Sequence, residues 1–260
     1  MKFLKRKLNV VVVAGASGIG LEIVKAYLDE GCLLFVCDVS SEFLENINQK
    51  HPDVFTQRTN VAVYDEVKSF FDHIQSEVDH IDVLINCAGI AGPTGELQDL
   101  DPKAWDLTTA ININGMFYCL KEAVPLIKKS DSPSIINLAS NAAFFGFPLR
   151  SPYATAKWAC IGLTKTLAME LGAEQVRVNA ICPGSVRGER IDRVVAADAK
   201  TQNKSIEEIE KLYCKQVSMK TFVEASDVAH LALFLSSEYG RFISGQAIGL
   251  DGHTEGLSNS

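Results

Sequence analysis

Short apolar runs alternate with segments of helical period along the chain. Leu8 to Val13, Leu33 to Val36, Ile81 to Ile85, Ile135 to Leu138, Val176 to Ile181 and Ala247 to Leu250 are bounded by Gly, Asp or Asn and rich in β-branched residues. Brief runs that are apolar on both faces predict strands of a parallel sheet covered on each side by helices. Between them, Ile19, Ile23 and Tyr27 with Val24 and Leu28 fall at helical spacing, as do Val67, Phe70, Phe71, Ile74 and Val78, and Val228, Leu231, Ala232 and Leu235. Longer helices are predicted from Pro102 to Lys129 and from Pro152 to Gly172. Each opens on a proline, which the first turn accepts because its missing amide would have had no partner there. Strands alternating with helices predict right-handed βαβ units, hence one α/β domain with a doubly wound, mostly parallel sheet flanked by helices on both faces. Residues 185–219 interrupt the alternation with polar and charged positions and are expected to be an irregular substrate lid or a surface excursion.

Composition narrows the partners more than the fold. The 260 residues are 47% hydrophobic and 22% charged, as in an ordinary globular protein, and the net charge of -7 disfavours nucleic acid and membrane surfaces, both polyanionic. No run approaches the roughly 18 apolar residues of a membrane span. Seven cysteines, Cys32, Cys37, Cys87, Cys119, Cys160, Cys182 and Cys214, are scattered without CxxC or CxxH spacing, which argues against a metal site and for free thiols in a reducing, cytoplasmic setting. The start, with Lys2, Lys5, Arg6 and Lys7 before an apolar stretch and Ala14-Gly15-Ala16, imitates a cleaved leader. Cleavage there would destroy the glycine loop that follows, so the stretch is read as the first buried strand.

That loop is the first chemical signal. The strand runs into Ala14-Gly15-Ala16-Ser17-Gly18-Ile19-Gly20, after which the helical pattern begins. Glycines at a strand-to-helix turn let amides approach a pyrophosphate, whose charge the helix N-terminus favours. Asp38 ends the second strand eighteen residues after Gly20, near the spacing of an acid that accepts from adenosine ribose hydroxyls and repels a 2′-phosphate. Val39 and Ser40 supply no cation, so NAD is expected rather than NADP. The competing role for Asp38 is a solvated strand-end acid or a cap for the helix near Ser41.

Tyr153 and Lys157 stand four apart in a predicted helix, on one face, with Ser140 thirteen residues upstream of the tyrosine at the end of an apolar run. A neighbouring ammonium favours phenolate and turns tyrosine into a usable acid/base near neutral pH.

With the glycine loop, the acid, serine, tyrosine and lysine in this order, the chain resembles the short-chain dehydrogenase/reductase family over essentially its whole length, which implies a Rossmann-like fold. Asn86-Cys87-Ala88-Gly89, Asn112 in Ile-Asn-Ile-Asn and Pro183-Gly184 are similar to further family motifs. The resemblance implies that Tyr153 is the general acid/base, Ser140 holds the substrate oxygen, Lys157 lowers the tyrosine pKa and binds the nicotinamide ribose, and Asn112 anchors a water joining Lys157 to solvent. It also implies cofactor contacts from Gly15, Ser17, Gly18, Ile19 and Gly20, from Asn60 and Val61 at the adenine, from Asn86, Ala88 and Gly89, and from Pro183, Gly184 and Val186 near the carboxamide. A homo-oligomer, tetramer or dimer, paired through the long helices is part of the same implication. Ala14 replaces the first loop glycine, Cys87 the second asparagine, Asn60 an aspartate, and Gly188 a threonine.

The expected activity is NAD-dependent interconversion of a secondary alcohol and a ketone. Reduction of 3-oxoacyl thioesters is an alternative, and a noncatalytic dinucleotide-sensing or scaffold protein is the alternative of another class. The substrate wall is expected from Ala91 to Leu97, Ala142 to Arg150 and Ser185 to about Asp198, with Phe144, Phe145 and Phe147 making part of it apolar. Arg150 or Arg187, with Arg190 and Arg193 nearby, is the candidate ligand for an anionic substrate group. The bland alternative pairs these arginines with Glu189 and Asp192 on a solvated lid.

Overall fold

A computed structural model describes residues 3–254 and 256, apart from the side chains of Arg190, Ala197, Asp198 and Thr201, so Lys2 lies outside the described residues. Seven strands form one parallel sheet in the order β3-β2-β1-β4-β5-β6-β7. They are β1 (Asn9–Val13), β2 (Leu33–Asp38), β3 (Phe55–Arg58), β4 (Val83–Asn86), β5 (Ser134–Leu138), β6 (Arg177–Pro183) and β7 (Ala247–Leu250). The helices are α1 (Gly18–Asp29), α2 (Ser41–Lys50), α3 (Tyr64–Glu77), α4 (Pro102–Thr109), α5 (Gly115–Ile127), α6 (Ser151–Glu170), α7 (Glu189–Gln202), α8 (Ile206–Lys215) and α9 (Ala225–Ser236).

Alternate residues of each central strand feed two separate cores. Val11 and Val13 join Phe70, Ile74, Leu120 and Ile127 under α3, α5 and α6, while Val10 and Val12 join Ile23, Tyr27, Val228 and Ala232 under α1 and α9. Both faces of the sheet are therefore dry, which explains why the strands read as unbroken apolar runs.

Three expectations need correction. β3, Phe-Thr-Gln-Arg, is a strand at the sheet edge whose residues are half-buried or exposed, so its composition is mixed and its pattern does not announce it. The helix expected from Pro102 to Lys129 contains a π-helical turn at Ala110–Asn114, closed by the Gly115 amide on the Ala110 carbonyl. The stretch expected to be irregular, 185–219, holds two helices. Val195, Ala199 and Ile209 form a small core of their own between α7 and α8, flanked by Ile191, Leu212 and Tyr213. Their other faces are polar, which hid their period.

Candidate active site

Sheet order reverses between β1 and β4, and ligands of such sheets bind outside the carboxyl ends of the strands at that point. The candidate residues converge there. The loop after β1 is shaped by tight approaches: a Cβ on Gly15 would lie 2.8 Å from Val36 Cγ1, and one on Gly20 would run into the Ala14 carbonyl. Gly18 has φ +50°, and Ala14 takes a left-handed φ of +56° with its Cβ in place. Ser17 caps α1 without a side-chain bond to the helix, and the first turn carries no acid, so these N-terminal amides face outward with no internal anion. Ile19 packs on the core below.

Asp38, 8% exposed, accepts from the Ala16 amide at 3.1 Å through Oδ2 and from the Ser40 amide at 3.1 Å through Oδ1. The acid thus braces the glycine loop from the neighbouring strand, and each oxygen keeps a further lone pair. The cap of α2 is Ser40, whose Oγ accepts from the Phe43 amide. Across the strand ends, Arg58 turns to Glu66 at 3.0 Å instead of Asp38. Asn60 and Val61 follow β3. The Asn60 Oδ1 closes a turn on the Ala62 amide, and Val61 lies where a Cβ on Gly115 would come within 2.8 Å.

Lys157 is 7% exposed and donates from Nζ to the Leu138 carbonyl at 2.8 Å. Its Nζ lies 5.7 Å from the centroid of the Tyr153 ring, and a Cβ on Gly89 would sit 3.4 Å from the same nitrogen. Asn112, inside the π turn, is locked by two bonds to Ile90, Oδ1 accepting from its amide at 2.8 Å and Nδ2 donating to its carbonyl at 2.9 Å. Ser140 stands two residues past β5, its Oγ accepting from the Ala142 amide. Behind Lys157, a cavity of about 10 Å³ is lined by Asn86, Ala88, Asn112 and Lys157, among others. That is the threshold for one water. Asn86 Oδ1 is buried there with no hydrogen-bond partner among the described residues, while its Nδ2 donates to Asn137 Oδ1 at 2.9 Å. Asn137 in turn donates to Thr164 Oγ1 at 3.0 Å, a link absent from the sequence reading. A lone asparagine inside Ile-Ile-Asn-Leu was its signal, since a polar side chain in a dry strand requires a partner.

After β6, Gly184 lies so close to the chain that a Cβ would come 2.8 Å from Asp251 Cβ, and Val186 pairs with Val223 in an isolated parallel bridge. Glycine loop, Asp38, buried lysine and tyrosine thus occupy one rim. A family model described as enoyl-(acyl carrier protein) reductase matches residues 13–254. The chain belongs to the short-chain dehydrogenase/reductase family.

The 3-oxoacyl-(acyl-carrier-protein) reductase of Staphylococcus epidermidis is 32% identical over 247 residues, covering 93% of this chain and 96% of that one. The ligand-free aldohexose dehydrogenase of Thermoplasma acidophilum superposes with a TM-score of 0.85 at 28% identity over 95% of this chain and 93% of its own. An actinorhodin polyketide ketoreductase with NADPH gives 0.89 at 25% identity over 95% and 96%. As a member of this family the protein is an oxidoreductase that uses a nicotinamide dinucleotide. The cradle fits that group: bare glycines and unopposed helix amides at the phosphate end, and a buried ammonium with donors to spare at the other.

Two arginines of the expected substrate wall have partners of their own. The Arg150 guanidinium reaches Thr94 Oγ1 at 3.2 Å and the Ala91 carbonyl at 3.1 Å, and lies over the rings of Phe147 and Tyr153. It ties two segments of the expected wall together. Arg187 sits over the Phe222 ring and faces Glu224 at 3.5 Å and Glu210 at 3.9 Å, partners other than the Glu189 and Asp192 of the bland alternative. Beside it opens a cavity of about 590 Å³ bordered by α8 and Lys220. The Arg190 side chain lies outside the described residues. No group of His, Cys, Asp and Glu is arranged for a metal, and no helix is long and apolar enough to cross a membrane, among the described residues.

Proposed function

We propose that the protein interconverts a secondary alcohol and a ketone with NAD(H), the 185–219 segment forming the substrate lid of a single domain. The observation that carries the reading is Lys157: a buried ammonium whose recorded hydrogen bond goes to one backbone carbonyl, a turn below Tyr153. Such a cation stabilises phenolate and keeps two N–H groups for the ribose and for a water in the adjoining cavity. The bound nicotinamide supplies or accepts the hydride. Tyr153 moves the proton at the substrate oxygen, Ser140 binds that oxygen, and Asn112 fixes the backbone of residue 90 beneath. Asn86 Oδ1 is the acceptor available to a water entering that cavity, from which a proton route would continue beyond Lys157.

NAD is favoured because a carboxylate at Asp38, beside the glycine loop it braces, repels a 2′-phosphate and Arg58 is already paired with Glu66. Against this stands the NADPH of the polyketide ketoreductase, so cofactor choice is the feature to test. Reduction of a 3-oxoacyl thioester is the second reading, favoured by the activity of the staphylococcal relative. Arg150 shapes the substrate wall in both readings, and an anionic substrate would have to draw Arg187 from its two glutamates. Exposed Leu107, Phe117 and Trp158 on the long helices support a homo-oligomer, and buried free thiols support a reducing, cytoplasmic setting.

A screen of secondary alcohols, ketones and 3-oxoacyl thioesters with NAD(H) and NADP(H), followed by nicotinamide absorbance, tests the assignment. Turnover with NAD(H) is expected to exceed that with NADP(H) by on the order of a hundredfold, and Tyr153→Phe to lower kcat by about a thousandfold while leaving NADH affinity intact. A preference for NADP(H) sinks the reading of Asp38. Full activity in the phenylalanine variant removes Tyr153 as the acid/base.

A further inference from the structure

The serine assigned to the substrate oxygen is held by a neighbour that belongs to none of the motifs above. Ser140 Oγ accepts from the Ala142 amide at 3.2 Å and donates to Asn141 Oδ1 at 3.3 Å. Asn141 is 7% exposed, and its Nδ2 donates to Thr254 Oγ1 at 3.1 Å, across 113 residues of sequence. Thr254 is 5% exposed, and its amide donates to Asp251 Oδ2 at 3.3 Å. The same four-residue strap, Asp251 to Thr254, takes hold of the end of the lid. The Ser218 amide donates to the His253 carbonyl at 2.9 Å, the Met219 amide to the Gly252 carbonyl at 3.1 Å, and Val217 bridges Thr254.

We propose that Asn141 is a positioning residue for the Ser140 hydroxyl, and that Thr254 sets it through this strap. The inference rests on the reading of Ser140 given above. A serine hydroxyl has one proton and two lone pairs on a freely turning bond. The Ala142 amide takes one lone pair and Asn141 Oδ1 takes the proton, so the remaining lone pair has a fixed direction. A bond of 3.3 Å is long for O–H···O, so a substrate carbonyl offered at normal distance wins the proton with little loss. The hydroxyl is thereby parked without being spent. Thr254 Oγ1 holds the Nδ2 end of the Asn141 amide, which leaves Oδ1 facing the serine. With Nδ2 on Thr254, Oδ1 must point at Ser140. Without that acceptor the amide is free to turn and to present a donor to the serine, which is the wrong partner for a hydroxyl that must give its proton to a ketone.

The test is steady-state ketone reduction with NADH, over a panel of 3-oxoacyl thioesters and aliphatic and cyclic ketones, for the parent, Asn141→Ala, Thr254→Val, Thr254→Ser, the Asn141→Ala/Thr254→Val pair and Ser140→Ala. On the best panel substrate, Asn141→Ala is expected to lower kcat about tenfold and Thr254→Val about threefold, with Thr254→Ser within about twofold of the parent. The double variant is expected to be no slower than Asn141→Ala, because both changes break one chain of contacts. NADH affinity by fluorescence is expected to stay at the parent value, and kcat per folded molecule is read below the thermal midpoint of each variant, because the lost buried bonds also lower stability. Parent-like kcat in Asn141→Ala and Thr254→Val overturns the proposal, as does a loss confined to NADH affinity or to stability, or losses that multiply in the double variant. Ser140→Ala separates the two layers. If it retains parent activity, or if the parent turns over no panel compound, the underlying reading fails and takes the positioning role with it. If it is inactive while Asn141→Ala is fully active, only the positioning role falls.

Discussion

The two ends of the sheet handle buried charge in opposite ways. At the amino ends of the strands, Arg177 is 7% exposed and gives its guanidinium to the carbonyls of Leu235, Ser236 and Gly240, closing the C-terminus of α9. Burial pushes its pKa down, yet the carbonyl ends of the helix hold the cation. Asp82, 1% exposed at the same end, is met by Arg6, Ser130 and the Asn9 amide. At the carboxyl ends, Lys157 is equally buried but has a single carbonyl, and Asn86 Oδ1 has no partner among the described residues. Buried charge is thus met by several fixed partners at one end, although the Ser134 hydroxyl there lacks one among the described residues, and by a single carbonyl at the other. A charge held by several partners makes a scaffold, and a half-satisfied one at the carboxyl ends marks where a ligand completes the structure.

Exchanging the cations' roles by mutation is the sharpest way to break that comparison. Lys157→Met is expected to lower kcat by about a thousandfold with no loss of thermal midpoint, because an apolar side chain relieves the burial of a half-satisfied charge. Arg177→Met is expected to do the reverse, costing about 2 kcal/mol, or about 6 °C in the thermal midpoint, with kcat per folded molecule unchanged. Calorimetry and turnover on both proteins check the pair, and a stability loss in the lysine variant larger than in the arginine variant would dissolve the distinction. At the carboxyl ends, Ala14→Gly removes a Cβ from a left-handed turn and is expected to raise stability by about 1 kcal/mol, read as a shift in the denaturant midpoint.

A further effect, confined to alkaline pH, belongs to the interior between the ends. Desolvation pushes the Cys37 and Cys182 thiols from the ordinary value of 9.0 up to about 12. A thiol that stays protonated in the folded chain but ionises in the unfolded one contributes stability that is complete below pH 9 and drains away between pH 9 and about 12. Denaturant midpoints from pH 7 to 11 are expected to be flat at first and then to fall. Replacing both cysteines by alanine should shallow that alkaline slope, and an unchanged slope would assign it elsewhere.

Much of this architecture is legible in the sequence because both faces of the sheet are dry. Val10 to Val13 or Ile135 to Leu138 has one reading when every position must be buried. β3 escapes because an edge strand buries too little to require apolar residues. The α7–α8 pair escapes because its core is only a few side chains wide, although Ser205 and Glu208, three apart, form a capping box that marks the start of α8. At the site, the motif residues are legible because each performs chemistry that few residue types can do. The partners that hold them are not: Asn137 with Thr164, and Asn141 with Thr254, are ordinary polar residues that meet only after the chain has closed.

The π turn at Ala110–Asn114 spends one residue more than an α-helical ladder requires. An extra residue rotates everything beyond it by about 100° about the helix axis. Without that offset, one rigid helix would have to choose between turning Met116, Cys119 and Leu120 into the core and bringing Asn112 against Ile90. The inserted residue lets α4 and α5 keep different angular phases on a nearly continuous rod, so deleting a single residue within 110–114 should act as a rotation, swinging one of those two faces away from its target.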